Sequence, residues 1–434
     1  MRQLGLVSAT ALVVANMIGA GVFTTTGFLL ADLGSPSLVI LAWMVGAVLA
    51  LSGALCYGAM ARAIPESGGE YAYLSKTIHP AAGFLAGWVS LLAGFSAPLA
   101  AVAIGFGEYT KIWLSGWDSR LTGSSLLFVC AAIHLRSAVV GARIQNGVVL
   151  LKVVALVGFV VFGMMQWPGV GEGIPAQEDS IVSSTGFPWS AFAISLVWIS
   201  FSYAGWNAAA YIGSEVADPE RNLPRSLVIG TLVVAFLYVG ANAVFVYSGP
   251  QELLAGKLEV AQIAAKEIGG RFWEQAVTAV IAIALTTSAS AMMMAGPRVY
   301  HRMALDGLLP SVCRDSELRP GAQVPTRAIF LQWAVAMAFL WTGAFEQLLT
   351  YIGFTLSVSN LAVVIGLILY FKRHGLPLNI LGGWLAPIAF VSFTLFAIGF
   401  GFKRQPWECS LGAGTLVLGL VIYVTLIAPR PQAR

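Results

Sequence analysis

Two glycine-bearing stretches and one lysine, all inside long apolar segments, carry the chemistry this sequence can offer. The first stretch, Asn16-Met17-Ile18-Gly19-Ala20-Gly21-Val22-Phe23, sits in the middle of the uncharged residues 6–31. The second, Phe201-Ser202-Tyr203-Ala204-Gly205-Trp206-Asn207, sits midway along the apolar residues 188–213. In lipid every backbone N–H and C=O must find a partner, so helix-weakening glycines at mid-depth suit only packed protein or a polar cavity. A helix interrupted there leaves free carbonyls at the end of its first half and free N–H groups at the start of its second. Helix-start N–H groups favour an anion, so the amides of Ala20, Gly21 and Val22 could hold a carboxylate, and the carbonyls could hold a cation. Together they form a site for a small zwitterion that needs no buried charged side chain. Lys152 lies roughly 12 Å deep in its own segment, where a lysine costs on the order of 2.5–3.5 kcal/mol if it cannot reach the interface. Such a residue is functional unless it snorkels to the surface.

Composition dictates the elements that must position these groups. The 434 residues are 58% hydrophobic and 10% charged. An ordinary soluble domain has roughly twice that charge, so the chain reads as an all-α polytopic membrane protein. Twelve transmembrane helices are expected, at 6–31, 36–62, 82–110, 122–136, 144–166, 188–213, 225–248, 272–298, 326–343, 347–371, 383–402 and 407–428. Between the fifth and sixth lies an acidic loop with Glu172, Glu178 and Asp179, and helical loops are expected at 251–270 and 299–325. With the N-terminus inside, sixteen Lys and Arg residues fall in cytoplasmic loops and tails and seven outside. Both termini are therefore expected in the cytoplasm, in a multi-pass arrangement across a cell's inner (plasma) membrane. The net charge of +4 is spread over loops and does not suggest nucleic-acid binding.

The two glycine breaks fall at corresponding depths of the first and sixth segments. Breaks so placed point to inverted five-helix repeats with a midplane binding site. Residues 1–166 would be the first repeat and 188–371 the second, with 383–428 appended, in a single membrane domain 1–434. Enzyme signatures are missing. His79, His134, His301 and His374 are scattered, no H-E-x-x-H, G-x-S-x-G or P-loop spacing occurs, and no cofactor or metal is expected. Cys56, Cys130, Cys313 and Cys409 are isolated, as suits buried free thiols. Gly83 and Gly87 form a G-x-x-x-G pair that marks close helix packing.

The motifs have a recognisable likeness. Gly19-Ala20-Gly21-Val22-Phe23, Pro65 to Tyr73 (PESGGEYAY), Gly83 to Trp88 (GFLAGW), Phe201 to Asn207, Glu215 to Arg225 (EVADPERNLPR) and Met303 to Pro310 (MALDGLLP) together resemble the amino acid-polyamine-organocation superfamily. The sixth-helix version is most similar to the L-type amino acid transporters. The resemblance implies a LeuT-type five-plus-five fold with discontinuous helices 1 and 6. It implies secondary active transport of amino acids, with the carbonyls of Met17, Phe201, Ser202 and Ala204 taking the substrate ammonium. It also implies that Phe201 is an aromatic gate, although an aromatic at that spacing taken alone reads as core packing. Gly19 and Gly205 would form the breaks, Tyr203, Trp206 and Asn207 would line or brace the pocket, and Trp198 would pack. Ala20 stands where many members have serine, which removes a hydroxyl and leaves the backbone donors.

In the resembling family a lysine of the fifth helix takes the place that sodium occupies in related transporters. Lys152 would then bridge the carbonyls near Gly19 to hydroxyls among Thr286, Thr287, Ser288 and Ser290, with Thr287 and Ser288 as coupling residues. Sodium coupling is not expected; exchange and proton symport both stay open. Asp32 and Glu108 lie near segment ends and no carboxylate or arginine falls mid-span, so neutral L-amino acids are expected, with Gly94, Ser96 and Ala97 leaving room for a side chain. Glu108 could gate but suits interfacial solvation. A permease for cationic amino acids or polyamines, or a transporter-like sensor, are the alternative readings. Loop 111–121 holds no cysteine, so no disulfide-linked accessory subunit is expected beside the amino acid and the bilayer as partners.

Overall fold

The computed structural model describes residues 4–66, 68–136, 138–166, 186–309, 326–375 and 383–428. The acidic loop with Glu172, Glu178 and Asp179, together with Ser67, Pro310 and Cys313, lies outside the described residues. The first apolar segment is three pieces, α1 (Leu6–Met17), α2 (Gly21–Thr24) and α3 (Thr26–Leu33), followed by α4 (Pro36–Ala63) and the short α5 (Gly69–Thr77). The third segment contains α6 (Pro80–Val89), a π-helical stretch Ser90–Ser96 and α7 (Ala97–Thr110), and then come α8 (Ser119–Arg136) and α9 (Ala138–Met165). Next are α10 (Trp189–Ser202), a 3-10 stretch Ala208–Glu215, α11 (Pro219–Tyr247), α12 (Gln251–Leu254) and α13 (Val260–Leu305). The chain ends in α14 (Thr326–Thr342), α15 (Phe345–Arg373), α16 (Leu385–Arg404) and α17 (Pro406–Ile422), the last running into a π turn Tyr423–Ile427.

Among the described residues, eight helices are long and apolar enough to cross a membrane, and shorter apolar helices occupy Ser119–Leu135, Leu150–Met165 and Trp189–Ser202. Local chemistry sets their ends. Proline opens α4, α6, α11 and α17 at the first turn, where its missing N–H has no acceptor to lose. Gly34 closes α3 in the left-handed region at φ 66°.

The sixth segment is interrupted within the expected stretch: α10 ends at Ser202 and helical structure resumes as the 3-10 stretch. Within α13 the non-helical Gly270 (φ 70°, ψ −165°) separates residues 260–269 from the long apolar helix after it, close to the expected start at 272. Those ten residues and α12 fall in the 251–270 stretch expected to be helical.

Packing distinguishes an inner from an outer set of helices. α1, α4 and α11 bury Met17, Trp43, Tyr57 and Tyr238 completely, and Tyr203, just past the end of α10, is buried as well. α17 instead exposes Val417, Leu418, Leu420 and Val421. An apolar face left open on a peripheral helix is what a bilayer covers. Cys56, Cys130 and Cys409 are buried free thiols.

Close approach is tightest at Gly27 on α3. Its carbonyl accepts the Gly256 N–H at 2.7 Å, and a Cβ built on it would lie 1.9 Å from the Lys257 carbonyl oxygen. The loop before α13 thereby clamps the second half of the first segment. Gly27→Ala should destabilise the fold by about 1–3 kcal/mol through overpacking. Gly158→Ala, where a Cβ meets open space, should leave stability unchanged or slightly raised. Thermal unfolding in detergent checks the contrast; equal midpoints for both variants would refute the clamp.

Candidate functional site

The two breaks face each other. α1 ends when Ile18 leaves helical angles (ψ 86°), and the chain re-enters a helix at Gly21. Thr25 keeps right-handed angles, so α2 and α3 form one nearly continuous second half. α10 ends at Ser202, where the Tyr203 N–H reaches Ile199 and the Ala204 N–H turns back to the Phe201 carbonyl at 3.0 Å. Gly205 then takes φ 102°, a conformation that favours glycine.

The contacts between the breaks are reciprocal. A Cβ on Gly21 would lie 2.5 Å from Ser202 Cα, and one on Gly205 would lie 2.8 Å from the Asn16 carbonyl oxygen. The Thr25 and Ser202 hydroxyls bond at 2.9 Å across the junction. Each glycine is therefore required by the other segment's backbone, and the breaks form one structural unit.

Side chains from other helices satisfy the carbonyls that the first break releases. The Tyr238 hydroxyl on α11 donates to the Met17 carbonyl at 2.5 Å. Lys152, 5% exposed, donates to the Ile18 carbonyl at 3.4 Å and to Ser288 Oγ at 3.0 Å. The Tyr109 hydroxyl donates to the Phe23 carbonyl at 2.6 Å. Trp43 Nε1 donates to Thr26 Oγ1 at 3.2 Å, and that hydroxyl donates to Asn242 Oδ1. Trp43, Tyr203 and Tyr238 pack ring on ring with centroids 5.2–5.6 Å apart. At the start of α2 the amides of Gly21 and Val22 have no preceding turn to supply acceptors, which leaves them as donors for an anion.

The structure brings Met17, Gly19, Ala20, Gly21 and Val22 to the same junction as Phe201, Ser202, Ala204 and Gly205. Individual groups are more committed than the sequence suggests. The Met17 carbonyl already accepts from Tyr238, and the Phe201 carbonyl from Ala204. Tyr203 is buried against Trp43, and Trp206 packs edge-on to Tyr57 with ring centroids 4.6 Å apart, so both brace. Phe201 is 8% exposed. The Asn207 amide donates to Glu70. Trp198 Nε1 donates to Thr350 Oγ1 at 2.7 Å, which fixes its packing role. Of the two coupling hydroxyls, Ser288 meets Lys152, whereas Thr287 bonds the carbonyls of Ile283 and Ala284 in its own helix.

Asp32 and Glu108 also have partners, at 2.5 Å from Arg404 and 2.6 Å from Lys111 respectively. Sequence reasoning missed Tyr238, Asn242 and Glu70. The first two could have been flagged as hydrogen-bonding side chains in mid-span; Glu70 carries no local sign of burial. A cavity of about 220 Å³ lined by Phe23, Phe159, Phe245 and Trp273 reaches Lys152, and another of about 580 Å³ lies between Phe28, Phe345 and Arg404.

Residues 4–427 match the family described as Amino acid permease. The chain belongs to that family. Membership within the amino acid-polyamine-organocation superfamily makes the permease a multi-pass membrane transport protein and not an enzyme. It is 28% identical over 433 residues to the mouse Large neutral amino acids transporter small subunit 2, covering 97% of this chain and 80% of that protein. It is 27% identical to the mouse Asc-type amino acid transporter 1, with the same coverage. It is 26% identical to the Serine/threonine exchanger SteT of Bacillus subtilis (strain 168), covering 97% of this chain and 96% of that one.

The junction makes two predictions for the permease. Gly21→Leu should abolish amino acid binding while expression stays largely intact, and Gly21→Ala should already weaken binding about tenfold, since even one methyl displaces the Ser202 backbone. Equilibrium binding of labelled amino acid to purified protein measures both; normal affinity in either variant would refute the assignment. Tyr238→Phe leaves the Met17 carbonyl without its donor and should lower stability by about 1–3 kcal/mol. An unchanged unfolding midpoint would show that this hydrogen bond holds nothing in place.

Proposed function

We propose that the permease is a secondary transporter of neutral L-amino acids that works by alternating access, as an exchanger or a proton symporter and without sodium. The reciprocal fit of the two helix breaks carries this reading. It leaves α2 amides to receive a carboxylate beside carbonyls of the second break that can receive an ammonium, so backbone alone can recognise the part common to all amino acids. The relatives' names, which specify large neutral amino acids in one case and serine and threonine in another, support the neutral class. In this reading Gly19, Ala20, Gly21 and Val22 face the carboxylate, Ser202 and Ala204 the ammonium, and Phe201 gates the pocket. Met17, Tyr203, Gly205 and Asn207 shape its floor.

The eight long helices, the three shorter apolar ones and α14 are read as twelve crossings. Helices one to five and six to ten form inverted repeats, with both termini in the cytoplasm and the protein in the cell membrane. No disulfide-linked subunit is proposed, because residues 111–121 offer no cysteine.

Lys152 supports the sodium-free mode. Its ammonium already stands between the Ile18 carbonyl and Ser288 Oγ, where it supplies the positive charge that a bound cation would otherwise bring. The test is counterflow in proteoliposomes, in which labelled amino acid accumulates against unlabelled internal substrate. Wild-type protein should show it equally in sodium and in potassium. Lys152→Ala, which leaves two polar groups facing an empty space, should reduce the rate by about tenfold or more. Full activity of Lys152→Ala together with sodium dependence of the wild type would overturn this mode, and binding without flux would point to a sensor.

A further inference from the structure

Glu70, in the first turn of α5, is 6% exposed although its sequence neighbourhood reads as a polar loop. Its Oε1 accepts from the Tyr57 hydroxyl of α4 at 3.1 Å and from the Asn207 amide, and its Oε2 accepts from the Tyr211 hydroxyl of the 3-10 stretch. Tyr57 Oη also lies 2.8 Å from the Asn360 side chain of α15. A hydroxyl has one proton and can accept as well, so with the Asn360 amide group turned toward it, Tyr57 relays one hydrogen bond from α15 to Glu70. Among the described residues no Lys, Arg or His pairs with Glu70. The nearby Lys76 pairs with Glu66, and Arg373 of α15 donates to the Thr77 carbonyl at 3.1 Å. The Tyr211 ring rests on Gly69, where a Cβ would lie 2.5 Å from it.

A buried carboxylate without a cation is expensive and is kept only where its hydrogen bonds have a use. Here every bond leaves α5 for another element, and two of them end on the segment that follows the second break. We propose that Glu70 is a positioning residue of the transport cycle, whose carboxylate locks the segment after Gly205 to α4, α5 and α15 through Asn207, Tyr211 and Tyr57. The inference rests on the transport reading above, since the lock has a purpose only if that segment moves. It acts on the rate of state change, because its bonds from Asn207 and Tyr211 tie the segment after Gly205 to α5.

Glu70→Gln tests this with little change of shape. Its carbonyl can still accept from Asn207, while the charge-assisted bond from Tyr211 is lost. In a background free of native cysteines, Ala210→Cys, buried in wild type, reports opening of the segment by thiol labelling in detergent. Glu70→Gln should speed that labelling about fivefold, and Glu70→Ala more. Counterflow should slow by about fivefold while the substrate dissociation constant moves less than about twofold. Glu70→Asp should recover part of both rates, and Tyr211→Phe should shift them in the same direction as Glu70→Gln.

Wild-type labelling and counterflow rates in Glu70→Gln would overturn the proposal. So would a loss of affinity in proportion to the loss of flux, which would make Glu70 part of the substrate contact. If Glu70→Gln does not fold, Tyr211→Phe, lacking a single hydroxyl, decides by the same two rates. Absence of counterflow in wild type would overturn the transport reading alone, since thiol labelling still decides whether the lock exists.

Discussion

A bilayer supplies no hydrogen bonds, and that constraint organises this molecule. Breaking a helix in the first segment frees the carbonyls of Met17 and Ile18, and each must be met from elsewhere in the protein. Tyr238 comes from α11 and Lys152 from α9, so one local interruption recruits two distant helices. Lys152 in turn needs Ser288 of α13, and Trp43 of α4 reaches α3 through Thr26. α11, which packs along α1, also satisfies the end of its broken backbone. Fold and site therefore share their hydrogen bonds, and neither could be changed without disturbing the other.

The second constraint is steric. Gly21 and Gly205 each lie against the backbone of the opposite break, at distances that no Cβ could occupy. The segments approach closely, and on the proposed transport reading the amides of one and the carbonyls of the other address a single small molecule. Side chains would hold them apart. Recognition by backbone is also indifferent to the substrate's side chain, which leaves selectivity to the walls supplied by other helices.

Much of this was legible in the sequence, for identifiable reasons. The breaks were visible because glycine at mid-depth in an uncharged segment contradicts helix propensity, and Lys152 was visible because a cation at that depth contradicts hydropathy. Both are local violations that need no tertiary knowledge. Tyr238 could be flagged only as a hydrogen-bonding side chain in mid-span; its partner was not legible until the fold placed Met17 beside it. Glu70 was hidden by its company, for PESGGEYAY reads as a polar turn, and only the fold packs Tyr57 and Tyr211 over it. Asn207 drew attention as a polar group near the second break. Its partner could not be named, because Glu70 lies more than a hundred residues away in sequence. The end of α10 at Ser202 falls inside the stretch marked as the second break, but the 3-10 form of residues 208–215 was not legible, because 208–213 stay apolar enough to continue an α-helix.

The hydrogen bonds at the first break also differ in what they allow. Tyr238 meets Met17 at 2.5 Å from a rigid ring packed between Trp43 and Tyr203, whereas Lys152 meets Ile18 at 3.4 Å from the end of a four-carbon chain. A phenol so wedged has almost no freedom to follow a moving carbonyl; an ammonium on a flexible stem can swing through several ångströms and keep one of its three donors engaged. If α1 tilts during a cycle, Met17 must either carry α11 with it or lose its partner outright, while the lysine tie stretches. The barrier to motion is therefore concentrated at the tyrosine and the tolerance for motion at the lysine. On the proposed transport reading, that division puts the pivot close to Met17 and keeps the Lys152 side chain engaged at the junction.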